Sequence, residues 1–121
     1  MKIKNYKELI VWQKSIGLAL AVFKITKKFP KSELYGIVSQ MRRCAYSIAS
    51  NIAEGYNRGS RLEYKKFLQI AYGSAAELET QLIICLKTGL IKKKHFGELI
   101  SPLTEILKML NRMITTLKSN S

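Results

Sequence analysis

Between Tyr64 and Cys85 the apolar residues keep an order that only one kind of structure satisfies. Tyr64, Leu68, Ala71, Ala75, Leu78, Leu82 and Cys85 are spaced alternately four and three apart, a heptad seam sustained for about three heptads. A strand would need alternation at every second residue, and that pattern is missing here. The seam predicts a long helix over about 60–88. Ser60 with Glu63 has the S-x-x-E form of a capping box at its start, and Gly89 stands at its end. Gly73-Ser74-Ala75-Ala76 places small side chains at its middle. Glycine there costs about 1 kcal/mol against alanine, so close approach of another helix is the expected compensation.

The stretch just upstream supplies that helix. Over about 32–54, Met41, Ala45, Ile48 and Ile52 recur every three or four residues and share one face. Ser47, Ala49, Ser50 and Ala53 between them are short. Ser32 is the expected N-cap, and Gly55 is expected to end the helix in a left-handed conformation. A polar stripe of Gln40, Arg43, Ser47, Asn51 and Glu54 runs beside the apolar one. Facing Glu77 or Glu79, it predicts a partly buried network of Arg43, Asn51, Glu54 and Glu77. Such a network fixes register at little net energy, and that structural role is preferred to a binding site.

Two further helices flank this pair. The first, about 6–28, carries two apolar stripes: Leu9, Trp12, Ile16, Ala19/Leu20 and Phe23, and, rotated away, Val11, Leu18, Val22, Ile25 and Phe29. One stripe suffices for a core. The second predicts a contact with another copy through Val11, Leu18, Val22 and Phe29. Phe29-Pro30 ends the helix. The last helix, about 93–118, carries Phe96, Leu99, Leu103, Ile106, Leu110 and Leu117, with Ser101-Pro102 expected to kink or split it. Short connections between long helices make the fold class all-α, an antiparallel up-down-up-down four-helix bundle in a single domain over 1–121.

Charge is the compositional outlier. Lys and Arg number 21 against 8 acidic residues, all Glu, for a net +13. That balance attracts polyanions, nucleic acid first; the plain alternative is lysine that merely solvates helix surfaces. In an up-down bundle the first and third turns share one end. That end gathers Lys24, Lys27, Lys28, Lys31, Lys87, Lys92, Lys93 and Lys94 as the candidate nucleic-acid-binding residues. The opposite end has Lys2, Lys4, Lys7, Arg58, Arg61, Lys65 and Lys66, diluted by Glu8, Glu54 and Glu63.

Little in the chain suggests catalysis. His95, the only histidine, sits beside three lysines with no Asp to orient it. Paired Glu and Glu-x-x-His motifs for a bundle metal site are absent, and the glycines of GYNRGS follow a helix rather than a strand. The expectation is a non-enzyme with no cofactor and no metal. Cys44 and Cys85 lie in apolar helical stretches and read as buried free thiols of a reducing cytoplasm. No apolar run approaches the ~20 residues of a membrane span, and the N-terminus lacks the form of a secretion signal, so a soluble cytoplasmic protein is expected. Trp12, Tyr35, Tyr46 and Tyr56 are either stacking platforms for bases or packing anchors; helical spacing favours anchors, Trp12 above all.

The elements YKELIVWQKS, FPKSELYGI, QMRRCAYSIASNIAEG and YKKFLQIAYGSAAELETQL together resemble the four-helix-bundle proteins encoded in bacterial 23S rRNA intervening sequences. That family includes the accessory variability determinant proteins of diversity-generating retroelements. The likeness spans residues 6 to about 117, and Pro102 departs from it. The resemblance implies assembly as a ring, a homopentamer with a positive surface and central channel. It further implies nucleic-acid binding and, for retroelement members, a reverse transcriptase partner. It implies no catalytic residues. Two functional expectations follow. One is an oligomeric basic scaffold binding RNA or DNA without sequence specificity. The other is a protein-interaction module docking on a reverse transcriptase or ribonucleoprotein, its charge incidental.

Overall fold

The computed structural model describes residues 5–119. It consists of four long helices, α1 (Ile10–Thr26), α2 (Ser39–Asn57), α3 (Arg61–Lys87) and α4 (Lys93–Ser119), and the described residues include no strand. Each helix packs on two others, α1 on α2 and α4, and α3 on α2 and α4, which closes a bundle around one core. The seam of α3 enters that core as its spacing requires. Leu68, Ala71, Ala75, Leu78, Leu82 and Cys85 are fully buried, while Tyr64 at the end is half-buried.

α2 and α3 share the most extensive contact. The small residues allow it: Ala45, Ala71 and Ala75 have no exposed surface, and the Ser47 and Ser74 hydroxyls meet across the seam at 2.9 Å. Gly73 has no part in this. It faces outward, and a Cβ on it would meet nothing within 4 Å. Its helix cost is not offset by packing inside the bundle.

The helix ends differ from the sequence expectation where side chains outcompete helical bonding. Asn5 and Glu8 close a reciprocal capping box around a 3₁₀ turn, Tyr6–Glu8. Leu9 is then extended, so α1 begins only at Ile10. Ser32 is not an N-cap. It lies inside a 3₁₀ turn, Lys31–Glu33, entered from Pro30, and a π turn, Leu34–Val38, leads to Ser39 with Gly36 outside helical angles at φ −110 and ψ −112. Gly55 does not terminate α2 but sits buried inside it, and the left-handed residue of the α2–α3 turn is Gly59, φ +84. Ser60 caps α3 as expected, its hydroxyl accepting from the Glu63 amide at 3.1 Å. α4 runs unbroken through Pro102, with Leu99 and Leu103 buried on either side. The carbonyl that loses its donor belongs to Glu98, an exposed residue.

α1 reverses the assignment of its two stripes. Val11, Leu18 and Val22 are at most 1 % exposed and form core, so these three are not the oligomer contact; Phe29 is half-buried against the core. Ser15 and Thr26 also lie along the core stripe. Each is buried, and each hydroxyl donates to the carbonyl four residues back, at 2.7 Å, which removes the cost of burying it. Ile10, Leu20 and Phe23 are the residues left outside, Leu20 at 66 % exposure.

Candidate nucleic-acid interface

The α1–α2 connection, 27–38, and the α3–α4 connection, 88–92, lie side by side. Lys28 and Phe29 from one and Leu90, Ile91 and Lys92 from the other, with Ile25 in the last turn of α1 and His95 in the first turn of α4, line one cleft of about 310 Å³. Phe29, Leu90 and Phe96 pack on the core beneath it. Gly89, φ +80, turns the chain out of α3, and the amides of Leu90 and Ile91 both donate to the Cys85 carbonyl, at 2.9 and 3.3 Å. This turn anchors the lysine run.

All eight lysines predicted for the site are exposed. Lys28 and Lys92 meet in the cleft. Lys27 and Lys31 line a neighbouring hollow with Phe23, Leu34 and Arg42. Lys24 and Lys87 stand in the last turns of α1 and α3. Lys93 and Lys94 open α4, whose first turn holds no carboxylate. Cations at a helix N-terminus oppose the helix dipole, so this placement does not serve the helix itself. Among the described residues, the carboxylates near this end are Glu33 and Glu98. Glu98 is taken up by His95, whose Nδ1 lies 2.8 Å from it, so a Glu rather than an Asp orients the histidine. At the opposite end, Lys2 and Lys4 lie outside the described residues, and Arg58 is bound to Glu54 at 3.0 Å.

Two residues of the candidate site were not assigned to it from sequence. Arg42 stacks 4.4 Å over the Phe23 ring and donates from Nε to the Thr26 hydroxyl at 3.0 Å; Lys27 stands 5.0 Å from the same ring. Leu34, 40 % exposed, lies in the π turn. Only the fold brings α1's last turns against α2's first, so no local signal marks Arg42 over its neighbour Arg43.

The polar network is not one unit. Asn51 donates to the carbonyl and hydroxyl of Ser47, at 2.8 and 2.9 Å, and Ser47 reaches Ser74. Arg43 bonds Gln40 at 2.7 Å, and Glu54 turns to Arg58. Glu77 accepts from Gln81 at 3.4 Å. Arg43, Cys44 and Glu77 border one small cleft, but Asn51 and Glu54 are not joined to them by an ion pair. Burial first, then the Glu77 carboxylate, pushes the Cys44 thiol up to about 11. Burial also raises Cys85. Both thiols are free. Among the described residues no three His, Cys, Asp or Glu side chains converge as metal ligands, and no helix is long and apolar enough to cross a membrane.

Residues 7–112 match the model of the 23S rRNA-intervening sequence protein family. The chain belongs to that family. The 23S rRNA-intervening sequence proteins thus claim the whole bundle from the first 3₁₀ turn to the last third of α4. A crystal structure of a protein of unknown function from the S23 ribosomal protein family of Bacteroides thetaiotaomicron is similar to it, with a TM-score of 0.79 and 27 % identity over 87 % of this chain and 98 % of that one. The sequence has no significant match among curated proteins.

Proposed function

We propose that this chain is a non-catalytic, oligomeric basic scaffold that binds nucleic acid, RNA or DNA, largely without sequence specificity. The observation that carries this reading is the cleft joining Lys28 to Lys92, with Lys93 and Lys94 beside it and no carboxylate in its lining. Alternating helix direction, the up-down-up-down order, follows from the short connections and the circuit of neighbours, and it gathers the remaining lysines of the site at the same end. No helix carries Arg, Asn and Gln patterned to read base edges, so phosphate contact supplies the affinity. The thiols argue against a nucleophilic enzyme, because burial shifts them away from the thiolate that such chemistry needs.

The oligomer contact falls to the outward face of α1, where exposed Ile10 and Leu20 flank Gly17, whose missing side chain leaves open space. A ring of five copies, as the family resemblance implies, repeats the lysine end in each subunit, and the contacts add along one polyanion. Light scattering should give several times the monomer mass, and Leu20→Asp should reduce it.

Binding of a labelled short RNA, measured by anisotropy at low and moderate salt, tests the reading. Affinity should fall steeply with salt, with a slope of about −0.7 per phosphate neutralised on a single strand. Changing Lys92, Lys93 and Lys94 to Glu should weaken binding far more than the same change at Lys7, Lys65 and Lys66. Equal losses would make the charge a diffuse field without a site. No binding at low salt would leave the protein-interaction module, docked on a reverse transcriptase or ribonucleoprotein.

A further inference from the structure

The four aromatic residues that helical spacing favours as anchors separate in the structure. Trp12 packs edge-on against Tyr6 at 5.4 Å, and Tyr56 against Tyr64 at 5.8 Å; these are anchors. Tyr35 is 93 % and Tyr46 47 % exposed, and neither shares a ring contact with another aromatic among the described residues. Both line a single groove of about 580 Å³ that runs from the π turn along the outer side of α2, with Leu34, Arg42 and Arg43. Exposed apolar side chains scattered singly need no explanation. Two tyrosines and a leucine line one shallow, open depression here.

The surroundings select the occupant. No carboxylate lines the groove, and its positive wall continues through Leu34 and Arg42 into the hollow of Lys27 and Lys31. Glu33 lies beside Gly36, its Oε1 3.9 Å from where a Cβ there would stand, and Glu77 borders the adjoining cleft that shares Arg43 and Ser47 with the groove. Arg42 is held in place by Thr26 and the Phe23 ring, and Arg43 is braced by Gln40, so little side-chain freedom is left to lose on binding. Flat rings beside fixed cations are what a strand with unpaired bases uses, bases on the rings and phosphates on the cations. A duplex keeps its base faces stacked inside and can engage only the cations.

We infer that the groove of Tyr35 and Tyr46 binds single-stranded nucleic acid, stacking unpaired bases on the two rings while Arg42, Arg43, Lys27 and Lys31 meet the phosphates. The inference rests on the nucleic-acid reading above and adds what the lysine end does not supply, a preference for single strands over duplex.

The test is anisotropy of the full chain with a short oligouridine and with an RNA duplex of equal length at moderate salt. The intact protein should favour the single strand. Tyr35→Ala with Tyr46→Ala should weaken single-strand binding by about tenfold per tyrosine while leaving duplex binding within about twofold. The salt slope should stay the same, since no phosphate contact is removed. Tyr35→Trp with Tyr46→Trp should restore the affinity, because the ring and not the hydroxyl does the binding. Both sites are solvent-facing, so the variants should fold, which circular dichroism checks. If the alanine variant binds the single strand as the intact protein does, the stacking groove is overturned and the lysine-end reading stands. If the intact protein binds neither RNA, the nucleic-acid reading fails and takes this inference with it. If the alanine variant instead lowers the mass seen by light scattering, a second copy occupies the groove and the inference is overturned.

Discussion

Gly55 on α2 lies so close to Phe67 on α3 that a Cβ built on the glycine would stand 2.6 Å from the Cβ of Phe67. The Tyr64 carbonyl and ring would be 3.3 Å away. This is the tightest helix–helix approach at any glycine of the chain, and it sits one turn before the α2–α3 connection. Arg58 closes the same corner, 5.0 Å over the Phe67 ring and paired with Glu54.

The two energies at Gly55 oppose each other. Alanine is the better helix former by about 1 kcal/mol, but overpacking costs about 1–3 kcal/mol. Phe67 meets the new methyl with its own Cβ, which moves only with the backbone, so the clash should win. Gly55→Ala should lower stability by about 1–2 kcal/mol in urea unfolding. Gly73→Ala, with open space around it, should instead add up to about 1 kcal/mol. A stabilised Gly55→Ala would show that the helices are not this close.

The Tyr64 hydroxyl is buried without a hydrogen-bond partner among the described residues. Leaving such a group unsatisfied costs about 1–3 kcal/mol. Tyr64→Phe keeps the edge-on contact with Tyr56 and removes the orphan, so stability should hold or rise by about 1 kcal/mol. A loss of that size in thermal unfolding would mean that the hydroxyl has a partner in solution.

Alkaline pH should destabilise the protein once it passes the ordinary thiol value of 9.0, where the unfolded chain ionises and the folded one does not. Burial raises Cys44 from 9.0 to about 11 and Tyr64 from 10.0 to about 12, and raises Cys85. A group whose folded pKa is raised stabilises fully below its unfolded value and loses that contribution as pH climbs through the folded one. Thermal midpoints should therefore be flat below about 9 and fall between about 9 and 12. A disulfide-exchange reagent at pH 8 should label both thiols slowly in the folded protein and fast in urea. Rapid labelling of the native protein would place them at the surface.

The helices were legible because their information is local. The four–three spacing of Tyr64 to Cys85, the Ser60 cap and the lysine run of 92–94 each act within a turn or two of chain, and the structure has all three where the sequence places them. Exposure of Lys24, Lys87, Lys93 and Lys94 follows from the same local logic, since a charged side chain on an amphipathic helix turns outward.

What the sequence could not decide were choices between neighbours of equal local merit. α1 offers two apolar stripes, and which one enters the core depends on where α2 and α4 lie; the stripe containing Ser15 and Thr26 can be buried because helix carbonyls satisfy both hydroxyls. Gly55 and Gly59 are alike as helix terminators, and only the approach of Phe67 assigns the close contact to one and the left-handed turn to the other. Arg42 and Arg43 are adjacent and chemically the same, yet Phe23 and Thr26, brought in from α1, fix the first and leave the second to Gln40. Local spacing sets which residues share a face. Tertiary packing sets which face meets another helix, because that depends on residues a whole helix away.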